Sequence, residues 1–79
     1  MSCLSPYPLS MSQEGEIVNI SLLRGGKHFE IRLMSLGLYA GAEVKVSQRE
    51  GANLVVLRGE TRIALGAGMA HKIMVIRKS

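Results

Sequence analysis

The sequence predicts a mainly β fold: a small, partly open barrel of five strands, with one short helix after the first strand and a helical turn before the last. Three observations predict this class. The chain has 79 residues, which is enough for one hydrophobic core and not for two. Five short segments are either alternating or continuously apolar, and glycine-containing turns separate them. Closing such strands into a barrel protects edges that a small sheet would otherwise expose.

The N-terminal residues carry both prolines of the chain and several serines. We expect residues 1–11 to form an extended lead-in and residues 12–79 to form the barrel domain. The lead-in is expected to pack on the barrel through its apolar side chains, which are Leu4, Tyr7, Leu9 and Met11.

Gly15 opens a first strand that is predicted over residues 16–20, and Gly25-Gly26 separates it from a helix predicted over residues 27–36. In that helix Phe29, Leu33 and Leu36 are spaced four and three apart. They therefore share one face, which we expect to be the core face.

Two glycines fix how this helix continues into the next strand. Gly37 follows the last apolar position, where a helix favours a left-handed residue at its C-terminal cap. Leu38 follows it, and Gly41 suits the third position of a type II turn, which needs a positive φ.

The other four strands are predicted over residues 43–49, 54–58, 61–65 and 73–76. Gly59-Glu60 places glycine first in a two-residue turn, which is typical of a type II′ hairpin. Residues 50–53 are predicted to be a loop. Residues 66–70 are predicted to form one helical turn before the last strand.

The composition narrows the possible functions. The net charge of +4 permits an acidic partner, although a soluble surface with a few additional basic residues explains the charge as well. The single cysteine, Cys3, has no partner for an internal disulfide, so we expect a cytoplasmic protein. No apolar run is long enough for a membrane span and no signal peptide is evident, so we expect no membrane insertion.

Catalysis is not expected. The titratable candidates are His28, His71, Cys3 and six acidic residues, and none of them has a catalytic spacing. A small nucleic-acid-binding barrel stays open as an alternative, because Arg58 and Arg62 flank one predicted turn. It is disfavoured because no aromatic residue falls in a predicted strand, where barrels that bind RNA present theirs.

Several short segments, in this order and spacing, resemble the FeoA family, small cytoplasmic proteins of bacterial ferrous iron uptake. The segments are Gly15-Glu16-Ile17-Val18, Gly25-Gly26, Arg32-Leu33, Leu36-Gly37-Leu38, Gly41, Ile63-Ala64-Leu65, Ala70, Ile73 and Val75. The resemblance runs from Pro8 to Val75 and implies an SH3-like barrel. Ala40 stands where the family usually has a proline, which should cost only about 0.4–1 kcal/mol.

The resemblance implies a non-enzymatic accessory or regulatory protein of ferrous iron uptake. Its partner would be the cytoplasmic, GTP-binding part of the membrane iron transporter FeoB, and the protein would be a monomer or a weak oligomer. An iron-binding or iron-sensing protein is the alternative within iron transport. No specific metal site is expected, because the chain has no ligand pair at a suitable spacing. No cofactor is expected beyond weak, adventitious iron, for example at Cys3.

The predicted helix is more apolar than one buried face requires. Ile31 and Met34 fall opposite the predicted core stripe, beside Lys27, and Tyr39 follows the helix cap. Either the N-terminal lead-in covers this second stripe or it is a docking patch for a partner. We predict partner binding at Lys27, Ile31, Met34 and Tyr39. The structural signature is predicted at Gly15, Phe29, Leu33, Leu36, Gly37, Leu38, Gly41, Ala64, Leu65 and Ala70.

Overall fold

A computed structural model describes residues 5–78 and contains six antiparallel strands in one open sheet, with two short helices. The strands are β1 (Tyr7–Pro8), β2 (Ile17–Leu23), β3 (Glu43–Glu50), β4 (Asn53–Arg58), β5 (Thr61–Leu65) and β6 (Ile73–Arg77). The helices are α1 (Lys27–Ser35) and α2 (Ala67–Lys72), and a 3₁₀ turn spans Leu9–Met11. The strand order is β1-β6-β2-β3-β4-β5. The predicted class, a small partly open barrel with these two helical insertions, is confirmed, with one strand more than expected.

The additional strand comes from the N-terminal segment. Tyr7 and Pro8 pair with Val75 and Met74 of β6, and Leu9 then enters the core. The described part of the predicted lead-in therefore adds an edge strand to the barrel. Met11 is 69% exposed and does not pack on the barrel as expected. Residues 1–4, including Leu4 and Cys3, lie outside the described residues.

The sequence could not reveal this strand because it has only two residues and contains a proline. A proline cannot donate to a sheet ladder, so it is tolerated on an edge strand such as β1. Arg49 of β3 also holds the N-terminal segment in place through hydrogen bonds. Its Nη1 donates to the carbonyl oxygens of Ser10 (2.9 Å) and Ser12 (2.6 Å), and its backbone N–H donates to Glu14 Oε2 at 2.7 Å.

One aliphatic cluster forms the core. Each strand from β2 to β6 contributes alternate residues, and α1 contributes Leu33, which is fully buried. Of the predicted signature, Leu33, Leu38, Leu65 and Ala70 are buried and Phe29 is half-buried against the cluster. Ala64 lies on the exposed face of β5. Gly15 donates its N–H to the carbonyl of Val46 at 2.7 Å.

The predicted C-terminal cap of α1 is confirmed. Gly37 has a φ of +90°, and its N–H donates to the Met34 carbonyl at 3.0 Å. The N–H of Leu38 donates to the Leu33 carbonyl at 2.8 Å, which completes a Schellman motif. The chain reverses at Gly37, so Leu38 packs in the core near Leu33.

This reversal corrects the prediction for Leu36. We expected Leu36 to share the core face with Phe29 and Leu33, but it is 43% exposed. Regular helical geometry ends at Ser35, and Leu36 is the cap residue from which the chain turns back. Leu38 takes the core position that the spacing assigned to Leu36.

The turns that follow also have the predicted form. Ala42 donates to the Tyr39 carbonyl at 2.9 Å and Gly41 has a φ of +97°, as a type II turn requires. The Gly59-Glu60 hairpin joins the facing residues Arg58 and Thr61. Residues 50–53, predicted to be a loop, instead form a second two-residue hairpin with a glycine first.

Candidate docking surface on the first helix

The N-terminal end of α1 is fixed to the barrel by one aromatic contact. The Phe29 ring lies so close to Gly25 that a Cβ at that position would be 2.3 Å from it. On the same ring, Lys72 Nζ lies 5.7 Å from the centroid, within the range of a cation–π interaction. Because glycine has no Cβ, the backbone at Gly25 can lie directly beside the Phe29 ring just before the helix begins.

The C-terminal end is fixed by Arg58 of β4. The Arg58 side chain passes over Gly37, where a Cβ would lie 3.1 Å from Arg58 Cδ. Its guanidinium carbon lies 5.1 Å from the centroid of the Tyr39 ring, and Nη2 donates to the Tyr39 hydroxyl. This contact connects the loop after α1 with the β4–β5 hairpin.

Between these two ends α1 is attached sparsely, since Leu33 is its one buried residue. Ile31 and Met34 are 58% and 59% exposed, and Tyr39 is also exposed. Most of the large apolar side chains that are exposed in residues 5–78 belong to α1, its cap or the cleft beside it: Leu22, Ile31, Met34, Leu36 and Tyr39. Clustered exposure of this kind typically marks an interaction surface.

The structure brings the four predicted partner-binding residues onto neighbouring positions. Lys27, Ile31 and Met34 are spaced four and three apart, so they follow one another along one side of α1. Met34 and Tyr39 line a common cleft of about 170 Å³ between α1 and β2. We call Lys27, Ile31, Met34 and Tyr39 the helix patch.

The alternative that the N-terminal lead-in covers this patch is wrong for the described residues 5–11. That segment pairs with β6 and packs near α2, and none of its residues lines the cleft of Met34 and Tyr39. Among residues 5–78, therefore, the lead-in leaves the patch exposed.

Leu22 extends the patch and was missed by sequence reasoning. It lines the same cleft and is exposed. A β-bulge in β2, at its pairing with β6 between Ile20 and Leu22, shifts the alternation, so that Leu22 faces out and Leu23 faces in. The local pattern Ile-Ser-Leu-Leu gives no signal for such a shift.

The chemistry of the surface suits protein contact. An apolar centre with charged residues at its margin, here Lys27 and Glu30, is a common interface composition. Within residues 5–78 no group of three histidine, cysteine or acidic side chains is placed to hold a metal ion. His28 and His71 are exposed on different helices. In this part of the chain, no helix is long and apolar enough to cross a membrane.

Comparisons with known proteins agree with this architecture. The family model of the FeoA domain matches residues 7–77. A relative from Methanocaldococcus jannaschii, named "Putative Fe(2+) transport protein A", is 35% identical over 69 residues, which cover 87% of this chain and 84% of the relative.

Two solved structures have the same fold. The crystal structure of an iron uptake regulatory protein (FeoA) superimposes with a TM-score of 0.84 at 29% identity, over 95% of this chain and 100% of that one. A manganese-dependent transcriptional repressor gives a TM-score of 0.84 at 15% identity, over 99% of this chain and 45% of the repressor. The second likeness shows the fold alone. From the match over residues 7–77 and the relative at 35% identity, the chain belongs to the FeoA domain family, which takes part in Fe(2+) transport.

Proposed function

We propose that this protein is a non-enzymatic accessory protein of ferrous iron uptake that binds the cytoplasmic, GTP-binding domain of an FeoB-like transporter through the helix patch. The observation that carries the proposal is the exposure of Ile31 and Met34 on a helix that only Leu33 anchors in the core. Membership of an Fe(2+) transport family supports a transporter as the partner. In this role the protein would act in the cytoplasm.

Burial of the apolar side chains of the patch can supply the free energy of a protein–protein contact. Burying a side chain such as methionine or isoleucine is worth about 1.5–3 kcal/mol relative to leaving it exposed. Interfaces concentrate most of their affinity in a few central side chains of this kind. Binding would shift the transporter toward whichever of its conformations holds this protein more tightly.

A matched pair of methionine variants tests the proposal. Met34 and Met11 are both exposed, but Met11 lies in the 3₁₀ turn outside the patch. Met34→Glu should weaken binding to the purified transporter domain by about tenfold or more, because a carboxylate would be placed in an apolar contact. Met11→Glu should bind like the unaltered protein. Titration calorimetry measures both, and an amide NMR spectrum of each variant confirms its fold.

Two results would overturn the proposal. Either the two variants bind equally well, or the unaltered protein shows no binding to the domain with GTP, with GDP or without nucleotide.

A further inference from the structure

The sheet ends at β5, and one side of this strand is unpaired. Because a two-residue turn joins β4 to β5, facing residues alternate between hydrogen-bonded and non-hydrogen-bonded pairs, and Arg58 with Thr61 is the first bonded pair. Arg62 and Ala64 occupy the non-bonded positions, so their backbone N–H and C=O groups point away from β4. Within residues 5–78 no other strand pairs with this edge.

A groove of about 620 Å³ lies beside the open edge. One wall comes from the end of α1, with Leu36 and Gly37, and the other from β5, with Thr61 and Ile63. The exposed Leu36 gives the groove an apolar wall next to the free backbone groups. Leu36 is not part of the helix patch, so the groove is a separate surface.

The groove is positively charged. Its lining contains Arg58 and Arg62 and no acidic residue. Among the described residues neither arginine has a carboxylate within ion-pair distance, and the buried Nε of Arg58 has no hydrogen-bond partner. A ligand with carboxylates would supply the missing counter-charge, in the first place to Arg62.

We propose that the open edge of β5 is a second docking site, which takes an extended acidic segment of a partner protein as an additional strand. The alternating donors and acceptors of a strand edge match a peptide main chain. In such a strand, residues facing Ile63 would contact Leu36, and a carboxylate facing Arg62 would pair with it on the outer surface. Alternating apolar and acidic residues therefore define the segment.

The positive charge of this edge disfavours a second copy of this chain as the strand that pairs with β5. Joining two β5 edges would place both Arg62 side chains on the same face of one sheet, and in a register that sets them opposite each other the like charges are destabilising. The charge of Arg62 also disfavours pairing of this edge with unrelated strands, as charged residues on edge strands generally do. A segment with a carboxylate opposite Arg62 offsets this charge and can pair.

Binding of a designed peptide tests the charge requirement. The probe is a fluorescein-labelled octapeptide of alternating valine and glutamate, followed by fluorescence anisotropy. Arg62→Glu should raise its Kd about tenfold or more, whereas the control Arg24→Glu, with the same charge change in the turn before α1, should stay within about twofold. The matching valine–lysine peptide should not bind.

Hydrogen exchange tests the strand pairing. On adding the valine–glutamate peptide, the amides of Arg62 and Ala64 should exchange more slowly, because each would donate to the peptide. Ala64→Pro, which removes one of these donors at a position where an edge strand tolerates proline, should weaken binding. Met34→Glu should bind the peptide normally, so this test is independent of the helix patch.

The proposal would be overturned by no peptide binding, by binding that Arg62→Glu leaves unchanged, or by binding without protection of these two amides. A concentration-dependent dimer in sedimentation, with β5 amides protected in the dimer, would also overturn it. Displacement of the peptide by a single-stranded oligonucleotide at lower concentration would overturn it as well and assign the groove to nucleic acid.

Discussion

The contact between Arg58 and Tyr39 separates the helix patch from the groove beside β5. Tyr39 lines the cleft of the helix patch, Arg58 lines the groove beside β5, and the guanidinium carbon lies 5.1 Å from the tyrosine ring centroid. Arg58 also donates to the Tyr39 hydroxyl. The helix patch and the groove are therefore separate but adjacent, and a ligand that draws Arg58 toward the groove would have to loosen its contact with Tyr39.

Tyr39→Phe should weaken the contact between Arg58 and Tyr39, because it removes the hydroxyl and keeps the ring. The variant removes the acceptor of the Arg58 hydrogen bond, whose net worth is about 0.5–1.5 kcal/mol, and leaves the cation–π contact in place. Thermal and urea unfolding should show a loss within that range. Tyr39→Leu, which removes both interactions, should cost more than Tyr39→Phe. Equal stabilities of the two variants would mean that the ring does not hold Arg58.

Leu33→Ala should destabilise the protein strongly. Leu33 is the fully buried residue of α1, and truncating a buried leucine typically costs about 2–5 kcal/mol. Leu36→Ala is the control, since Leu36 is exposed at the helix cap and the change should stay within about 0.5 kcal/mol. Urea unfolding followed by circular dichroism compares the two. A similar loss for both variants would contradict the assignment of the core face.

Gly37→Ala should destabilise the barrel by about 1–2 kcal/mol, because an L-residue is strained at a φ of +90°. The new Cβ would also press on Arg58 Cδ at 3.1 Å and disturb its contact with Tyr39. Gly68→Ala is the matched control. Gly68 lies inside α2 with open space around it, so alanine there should stabilise the protein by about 0.4–1 kcal/mol. The two changes should therefore shift the melting temperature in opposite directions.

Arg49→Ala should release the N-terminal segment. The side chain donates to the carbonyls of Ser10 and Ser12, and hydrogen bonds of this kind each contribute about 0.5–1.5 kcal/mol net. The Tyr7 amide, which is the one backbone N–H of β1, and the amides of its partner positions on β6 should exchange faster, while those of β4 and β5 should be unaffected. Uniform exchange across all strands would show that Arg49 does not act locally.

The sequence was sufficient where local chemistry determines the conformation. The glycines at positions 37, 41 and 59 marked a helix cap, a type II turn and a hairpin, and each lies where the backbone needs it. Alternation at residues 43–49, the continuous apolar run at 54–58 and the turns between the segments located β3 to β6 to within one residue at either end. The resemblance to the FeoA family then placed the elements in the right fold.

The features that the sequence did not reveal are products of tertiary packing. β1 exists because β6 offers a partner, and its two residues carry no pattern of their own. The exposure of Leu36 follows from Leu38 folding back into the core, and that of Leu22 from a bulge in β2. The free edge of β5 follows from the strand order, which local propensity does not determine.

The most direct test of the central claim is an amide NMR titration of labelled protein with the cytoplasmic GTP-binding domain of the transporter, with and without GTP. We expect shifts that cluster on Lys27, Ile31, Met34 and Tyr39, with Met11 and the rest of the 3₁₀ turn unchanged. Shifts confined to other elements, or no shifts at high concentrations of both proteins, would mean that the helix patch does not bind this domain.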